Sequence, residues 1–92
     1  MSVVIIGGNE RMERNYKDLC RKYNCRAKVF AKYSEAMQKK IGKPDLMVLF
    51  TSTVSHKMVR TALSKIREPD TIVVRSHSSS LAALKNIMEA HA

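Results

Sequence analysis

The chain predicts an α/β domain of three layers, built on a four-stranded parallel sheet in the order 2-1-3-4. Three observations lead there. Four short apolar runs alternate with four segments of helical periodicity, the pattern that gives a parallel sheet with right-handed crossovers. The first and third runs, Val3–Ile6 and Leu46–Phe50, are unbroken, as expected of central strands buried on both faces. The second alternates, as an edge strand does, and with the first and third central the second and fourth lie outside. Polar clusters follow the first, third and fourth runs, and in an open parallel sheet such clusters gather at the carboxyl edge, where ligands bind.

The elements follow in order. Val3–Ile6 is a branched apolar strand that Gly7-Gly8 ends. Asn9 is a good N-cap for a helix from Glu10 to Tyr23. Met12, Tyr16, Leu19, Cys20 and Tyr23 form its apolar stripe, and Arg11, Arg14, Lys17, Asp18, Arg21 and Lys22 its wet face. Asn24 suits a C-cap. From Cys25 to Ala31 small or apolar residues alternate with Arg26 and Lys28, the mark of an edge strand with one wetter face; Cys25 is placed at its exposed mouth. Ser34 caps a short helix through Ile41 that Gly42 closes, and Pro44 forbids its continuation. After Leu46–Phe50, Met58, Val59, Ala62, Leu63 and Ile66 share one helical face. Glu68-Pro69-Asp70 reads as a turn. Ile72–Val74 is the fourth strand, and Leu81, Leu84, Ile87 and Met88 stripe a last helix from Ser79 to His91.

Ninety-two residues make one domain, 1–92, with a modest core. No apolar run approaches the ~20 residues that span a bilayer, so no membrane partner is expected. Met1-Ser2 leads into the first strand without a basic leader, the pattern of a cytoplasmic chain. Seventeen Lys and Arg against eight Asp and Glu give a net charge of +9, which favours anionic partners. The basic residues are dispersed, aromatics are few, and no nucleic-acid reader motif is present. Nucleic acid is therefore a possible partner but not the favoured one. Cys20 and Cys25 lack the second pair that a zinc site needs and are expected as free thiols; whether they form a redox pair is left open. Four strands leave two open edges and thin cover, which points to a homodimer or larger oligomer.

The polar clusters are Gly7-Gly8-Asn9-Glu10, Thr51–Lys57 and Arg75–Ser80. Order 2-1-3-4 puts the topological switch between strands 1 and 3, so the first two clusters flank one crevice with the third beside it. Converging helix N-termini, hydroxyls and cations suit an anion. Gly7, Gly8, Asn9, Thr51, Ser55, His56, Arg75, Ser76, His77 and Ser78 are the candidate ligand-binding residues; Asn9, Ser55 and Ser78 also read simply as helix caps. A dinucleotide fingerprint is absent: the third glycine is missing, and Ala31-Lys32-Tyr33 stands where a ribose-binding acid belongs. No carboxylate orients either histidine, because Asp45 and Asp70 precede strands and fall on the opposite edge, so no hydrolytic triad forms. His56 and His77 are also candidate ligands for a transition metal or haem iron.

The runs Val-Ile-Ile-Gly-Gly-Asn at 4–9, Pro-Asp-Leu-Met-Val-Leu-Phe-Thr at 44–51, Val-Ser-His-Lys-Met-Val at 54–59 and Arg-Ser-His-Ser-Ser-Ser at 75–80 together resemble a small bacterial family of uncharacterised proteins, a domain of unknown function. The resemblance covers essentially the whole chain. It implies a compact cytoplasmic Rossmann-like domain without an assigned activity, with His56, Arg75, His77 and Ser78 in its signature. It transfers no catalytic residue. The sequence thus reads first as a domain that binds or senses a phosphate- or nucleotide-like anion at the carboxyl edge of its sheet. A haem- or metal-binding protein using His56 and His77 is the second reading, and a small enzyme with a histidine acid or base the third.

Overall fold

Four five-residue strands, Ser2–Ile6 (β1), Arg26–Phe30 (β2), Leu46–Phe50 (β3) and Ile72–Ser76 (β4), pair in parallel in the order β2-β1-β3-β4. The computed structural model describes residues 1–66 and 70–92. The turn read at Glu68-Pro69-Asp70 therefore lies, except for Asp70, outside the described residues. Register is set by the apolar strands: Ile5 lies between Val29 of β2 and Val48 of β3. β1 and β3 are central and their apolar runs are fully buried.

Four helices complete the layers: Glu13–Lys22 (α1), Glu35–Lys40 (α2), His56–Ser64 (α3) and Leu81–His91 (α4). Alternate strand residues feed opposite cores because side chains of a strand point to alternate faces. Val3, Ile5, Leu46, Val48 and Phe50 pack with Tyr16 and Cys20 of α1 and Leu84 and Met88 of α4. Val4, Ile6, Met47 and Leu49 pack with Met37 of α2, Ile41, and Met58 and Ala62 of α3. Helices α1 and α4 thus cover one face and α2 and α3 the other, the three-layer arrangement of a small Rossmann-like domain.

Several local expectations change. The first helix opens with a 3-10 turn, Glu10–Met12, before α1 begins. Asn9 caps that turn, accepting from the Arg11 N–H at 3.0 Å. Asn24 takes the left-handed conformation, φ 58°, that its C-cap role predicts. Ser34 stands at the start of α2 but makes no side-chain cap bond; its carbonyl accepts from Met37 N–H instead. Ser80, not Ser78, caps α4, which begins two residues later than expected. Cys25 is buried rather than at an exposed strand mouth, since its backbone N–H donates to the Cys20 carbonyl at 3.0 Å and draws it under α1. Both cysteines are free thiols, and burial, followed by the neighbouring Cys25, raises the Cys20 thiol from 9.0 to about 11. Among the described residues no helix is long and apolar enough to cross a membrane.

Candidate functional site

At the carboxyl edge the first loop is built on glycine. Gly7 and Gly8 both have positive φ, 95° and 89°, a region that side chains rarely adopt. Space demands glycine as well. A Cβ on Gly7 would lie 2.6 Å from Val54 Cγ1, and one on Gly8 would lie 2.8 Å from Tyr16 Cε2 and 3.2 Å from Phe50 Cδ2. The loop after β1 and the loop after β3 are therefore pressed together at the topological switch. Thr53 seals the seam: its hydroxyl accepts from Gly8 N–H at 2.7 Å and donates to the Phe50 carbonyl at 3.1 Å.

Tyr16 performs a similar task from below. Its ring is fully buried, tilted 43° against Phe50 with centroids 5.4 Å apart. Its hydroxyl accepts from Asn9 N–H at 3.3 Å and donates to the Ser79 carbonyl at 2.7 Å. One phenol thus joins the loop after β1 to the loop after β4. Four donors of the first loop are consequently engaged within the protein: Gly7 N–H by the Phe30 carbonyl, Gly8 by Thr53, Asn9 by Tyr16 and Arg11 by the Asn9 amide oxygen.

The other side of the edge is organised differently. Thr51 N–H donates to the Ser76 carbonyl at 2.8 Å, one step past the end of β3, so the chain leaves β3 and β4 side by side. Ser55 caps α3, accepting from Met58 N–H at 3.2 Å. Ser80 caps α4, accepting from Ala83 N–H at 3.1 Å. Ser78 supports that cap, donating to Ser80 Oγ at 3.0 Å and accepting from Ser80 N–H at 3.3 Å, while Ser76 Oγ donates to the Ser78 carbonyl at 2.8 Å. His56, Lys57, Arg75 and His77 are exposed. Among the described residues the His56 and Lys57 N–H groups at the start of α3 have no hydrogen-bond acceptor, as the first N–H groups of a helix do unless something outside supplies one.

Charge divides the edge in the same way. The first turns on the β1 and β2 side carry Glu10, Glu13 and Glu35. Glu10 pairs with Lys32 at 2.9 Å, and Glu10, Glu13 and Lys32 line a small hollow there. The first turns of α3 and α4 carry no acid, and neither 46–66 nor 71–88 contains an Asp or Glu. Lys57 lies 4.3 Å above the Tyr33 ring, a cation–π contact that ties α3 to the loop after β2. Arg75 points along the α3 face of the sheet, lining a hollow with Leu63, Ile66 and Val73, rather than over the switch between β1 and β3.

Among the described residues no group of three or more His, Cys, Asp or Glu is placed to hold a metal ion. No buried side-chain N or O atom among them lacks a partner. A hollow of about 820 Å³ lies on the opposite edge between Gly42–Asp45, Lys65 and Thr71. It is wide and of mixed charge, with Lys39, Lys43 and Lys65 against Asp45 and Asp70, and the Asp45 carboxylate already accepts from Ser2 N–H at 2.7 Å. The α3 and α4 half of the carboxyl edge differs from it in having no acid in either first turn. The sequence reading missed Tyr16, Thr53 and Ser80. In the sequence Tyr16 reads as part of an apolar stripe, and nothing local marks its hydroxyl as a bridge to residue 79.

A family model described as "Uncharacterized protein conserved in bacteria (DUF2325)" matches residues 2–91. Searches among curated proteins and among solved structures give no match.

Proposed function

The chain belongs to this family of uncharacterised proteins conserved in bacteria, and we propose that it is a binding or sensing domain for a phosphate-bearing small molecule. The ligand is held on the α3 and α4 half of the carboxyl edge. The observation that carries this reading is the acid-free start of both helices, with free N–H groups at His56 and Lys57 and the exposed side chains of His56, Lys57 and His77 around them. Thr51, Ser55, Ser76 and Ser78 shape the two loops, and Arg75 supplies charge from the β4 side. Gly7, Gly8 and Asn9 act as support, since their N–H groups are already engaged.

Magnitudes bound the affinity. Each helix N-terminus contributes ~0.3–1 kcal/mol at an exposed surface, and each charge-assisted hydrogen bond ~1.5–3 kcal/mol. Association itself costs several kcal/mol. Bare phosphate therefore binds in the millimolar range, roughly 4 kcal/mol, and tighter binding needs a larger ligand that also covers the loops. Titrating the labelled protein with inorganic phosphate and with nucleotides, followed by amide NMR, tests this. The amides of His56, Lys57, Leu81 and Ala82 should move together, and His56→Ala should weaken binding about tenfold or more while Lys22→Ala leaves it unchanged. Shifts confined to α1, or none at millimolar phosphate, would remove the site.

A further inference from the structure

We propose that two copies of this chain join edge to edge through β4, running antiparallel, to make one continuous eight-stranded sheet. This does not rest on the anion site. β4 pairs with β3 alone, and among the described residues no strand lies on its other side. It begins Ile72-Val73-Val74, branched residues of high strand propensity. Ile72 is 52% exposed, and among the described residues Met1 is the only other exposed large hydrophobic side chain. An edge of this composition invites pairing unless charge or proline guards it.

The two edges of the sheet differ in that respect. β2 carries exposed Arg26 and Lys28, with Lys32 just beyond. β4 carries only Arg75. Its ladder shows which groups are free: Ile72 N–H donates to the Asp45 carbonyl at 3.0 Å, and the Ser76 carbonyl accepts from Thr51 N–H at 2.8 Å. Residues 72, 74 and 76 thus bond inward, and the backbone groups of Val73 and Arg75 face outward. With a two-fold axis normal to the sheet at Val74, Val73 of one copy exchanges bonds with Arg75 of the other. The guanidinium groups then lie against valines and not against each other. That axis preserves the faces of the sheet, so the hollows lined by Leu63, Ile66, Val73 and Arg75 meet on one side.

Charge selects this edge over the other. Residues 10–32, which hold α1 and β2, contain eight Lys and Arg and three acids, so five of the nine net charges lie at the β2 end, whereas β4 carries one. Pairing through β4 sets the two β2 strands seven strand spacings apart, roughly 34 Å at about 4.8 Å each. That is several times the ~8 Å Debye length at physiological salt. Pairing through β2 would bring the basic ends within one spacing.

Sedimentation at micromolar concentration tests the proposal. The wild type should run at twice 10.4 kDa. Val73→Pro removes an outward N–H and no bond of the β3–β4 ladder, so it should remain folded by circular dichroism and dissociate at least tenfold more readily. Val74→Cys is the second arm and does not depend on the proline variant folding. A non-hydrogen-bonded antiparallel pair places its Cα atoms ~4.5 Å apart, within disulfide reach, so mild oxidation should link two chains through residue 74. A wild-type monomer at hundreds of micromolar, a folded Val73→Pro protein that stays dimeric, or a dimer that Val74→Cys fails to link would each overturn it.

Discussion

The two halves of the carboxyl edge both follow a strand with a polar cluster that leads into a helix, and they end in different states. After β1, a glycine pair and an asparagine turn the chain toward α1, and the N–H groups of Gly7, Gly8 and Asn9 each meet an acceptor from elsewhere in the protein. After β3 and β4, serine- and histidine-rich loops turn toward α3 and α4, and the hydroxyls of Ser55 and Ser80 take one donor of each helix while leaving the first ones open. Acidic residues begin the helices on the first side and are missing from the second. A glycine loop at a switch point is therefore not a ligand cradle by its composition. It becomes one only if the neighbouring loop leaves its N–H groups free, and here Thr53 takes one of them.

Substitutions can break or sharpen that contrast. The largest effect is expected at Gly8. An alanine there must adopt φ near 89° and push against Tyr16 and Phe50. The left-handed backbone costs ~1–2 kcal/mol and overpacking ~1–3 kcal/mol, so denaturant unfolding should show a loss of roughly 2–5 kcal/mol. A loss below about 1 kcal/mol would mean that the two rings yield and the loop is not locked.

Tyr16→Phe keeps the ring and deletes the hydroxyl, leaving Asn9 N–H and the Ser79 carbonyl without their shared partner. A loss of ~1–3 kcal/mol is expected, with faster amide exchange at Asn9. Unchanged exchange would show that the bridge does not hold the loop. Next come the caps: Ser55→Ala and Ser80→Ala should each cost ~1 kcal/mol in thermal unfolding, whereas Ser34→Ala, at a hydroxyl that caps nothing, should be nearly silent.

The smallest change in stability belongs to the open half. His56→Ala should alter stability by less than about 0.5 kcal/mol, as exposed positions do, while changing phosphate binding as described above. A separate pH effect comes from Cys20, whose thiol is pushed up to about 11 by burial and then by Cys25. The unfolded chain loses that proton first, near pH 9, so stability falls as pH rises from about 9 toward 11. At neutral pH the native thiol should react slowly with alkylating agents until the protein is denatured; rapid labelling of native Cys20 would contradict its burial.

Strand number, strand order and the two cores were legible because they depend on period and branching. Val3–Ile6 and Leu46–Phe50 read as doubly buried strands, and their alternate residues do supply both cores. The C-cap at Asn24 was legible for the same local reason, since few residues accept a positive φ. The candidate site was legible only as a location. Which serine caps α4 depends on where the chain settles after β4, and three serines in a row offer equivalent local choices. The bridging role of Tyr16 and the burial of Cys25 depend on elements far away in sequence or on packing beneath a helix. Neither leaves a periodic trace.

The Tyr16 bridge also bears on how the molecule is assembled in time. Synthesis delivers the amino-terminal part first, and its acceptor at Ser79 appears 63 residues later. Until α4 emerges and docks against α1, the phenol beneath the glycine loop faces an incomplete wall, and long-range closures of this kind are slow steps. The loop that begins the chain is therefore among the last parts to settle. A nascent chain arrested before residue 79 should show a β1 loop that protease and solvent reach freely, even with its sheet in place.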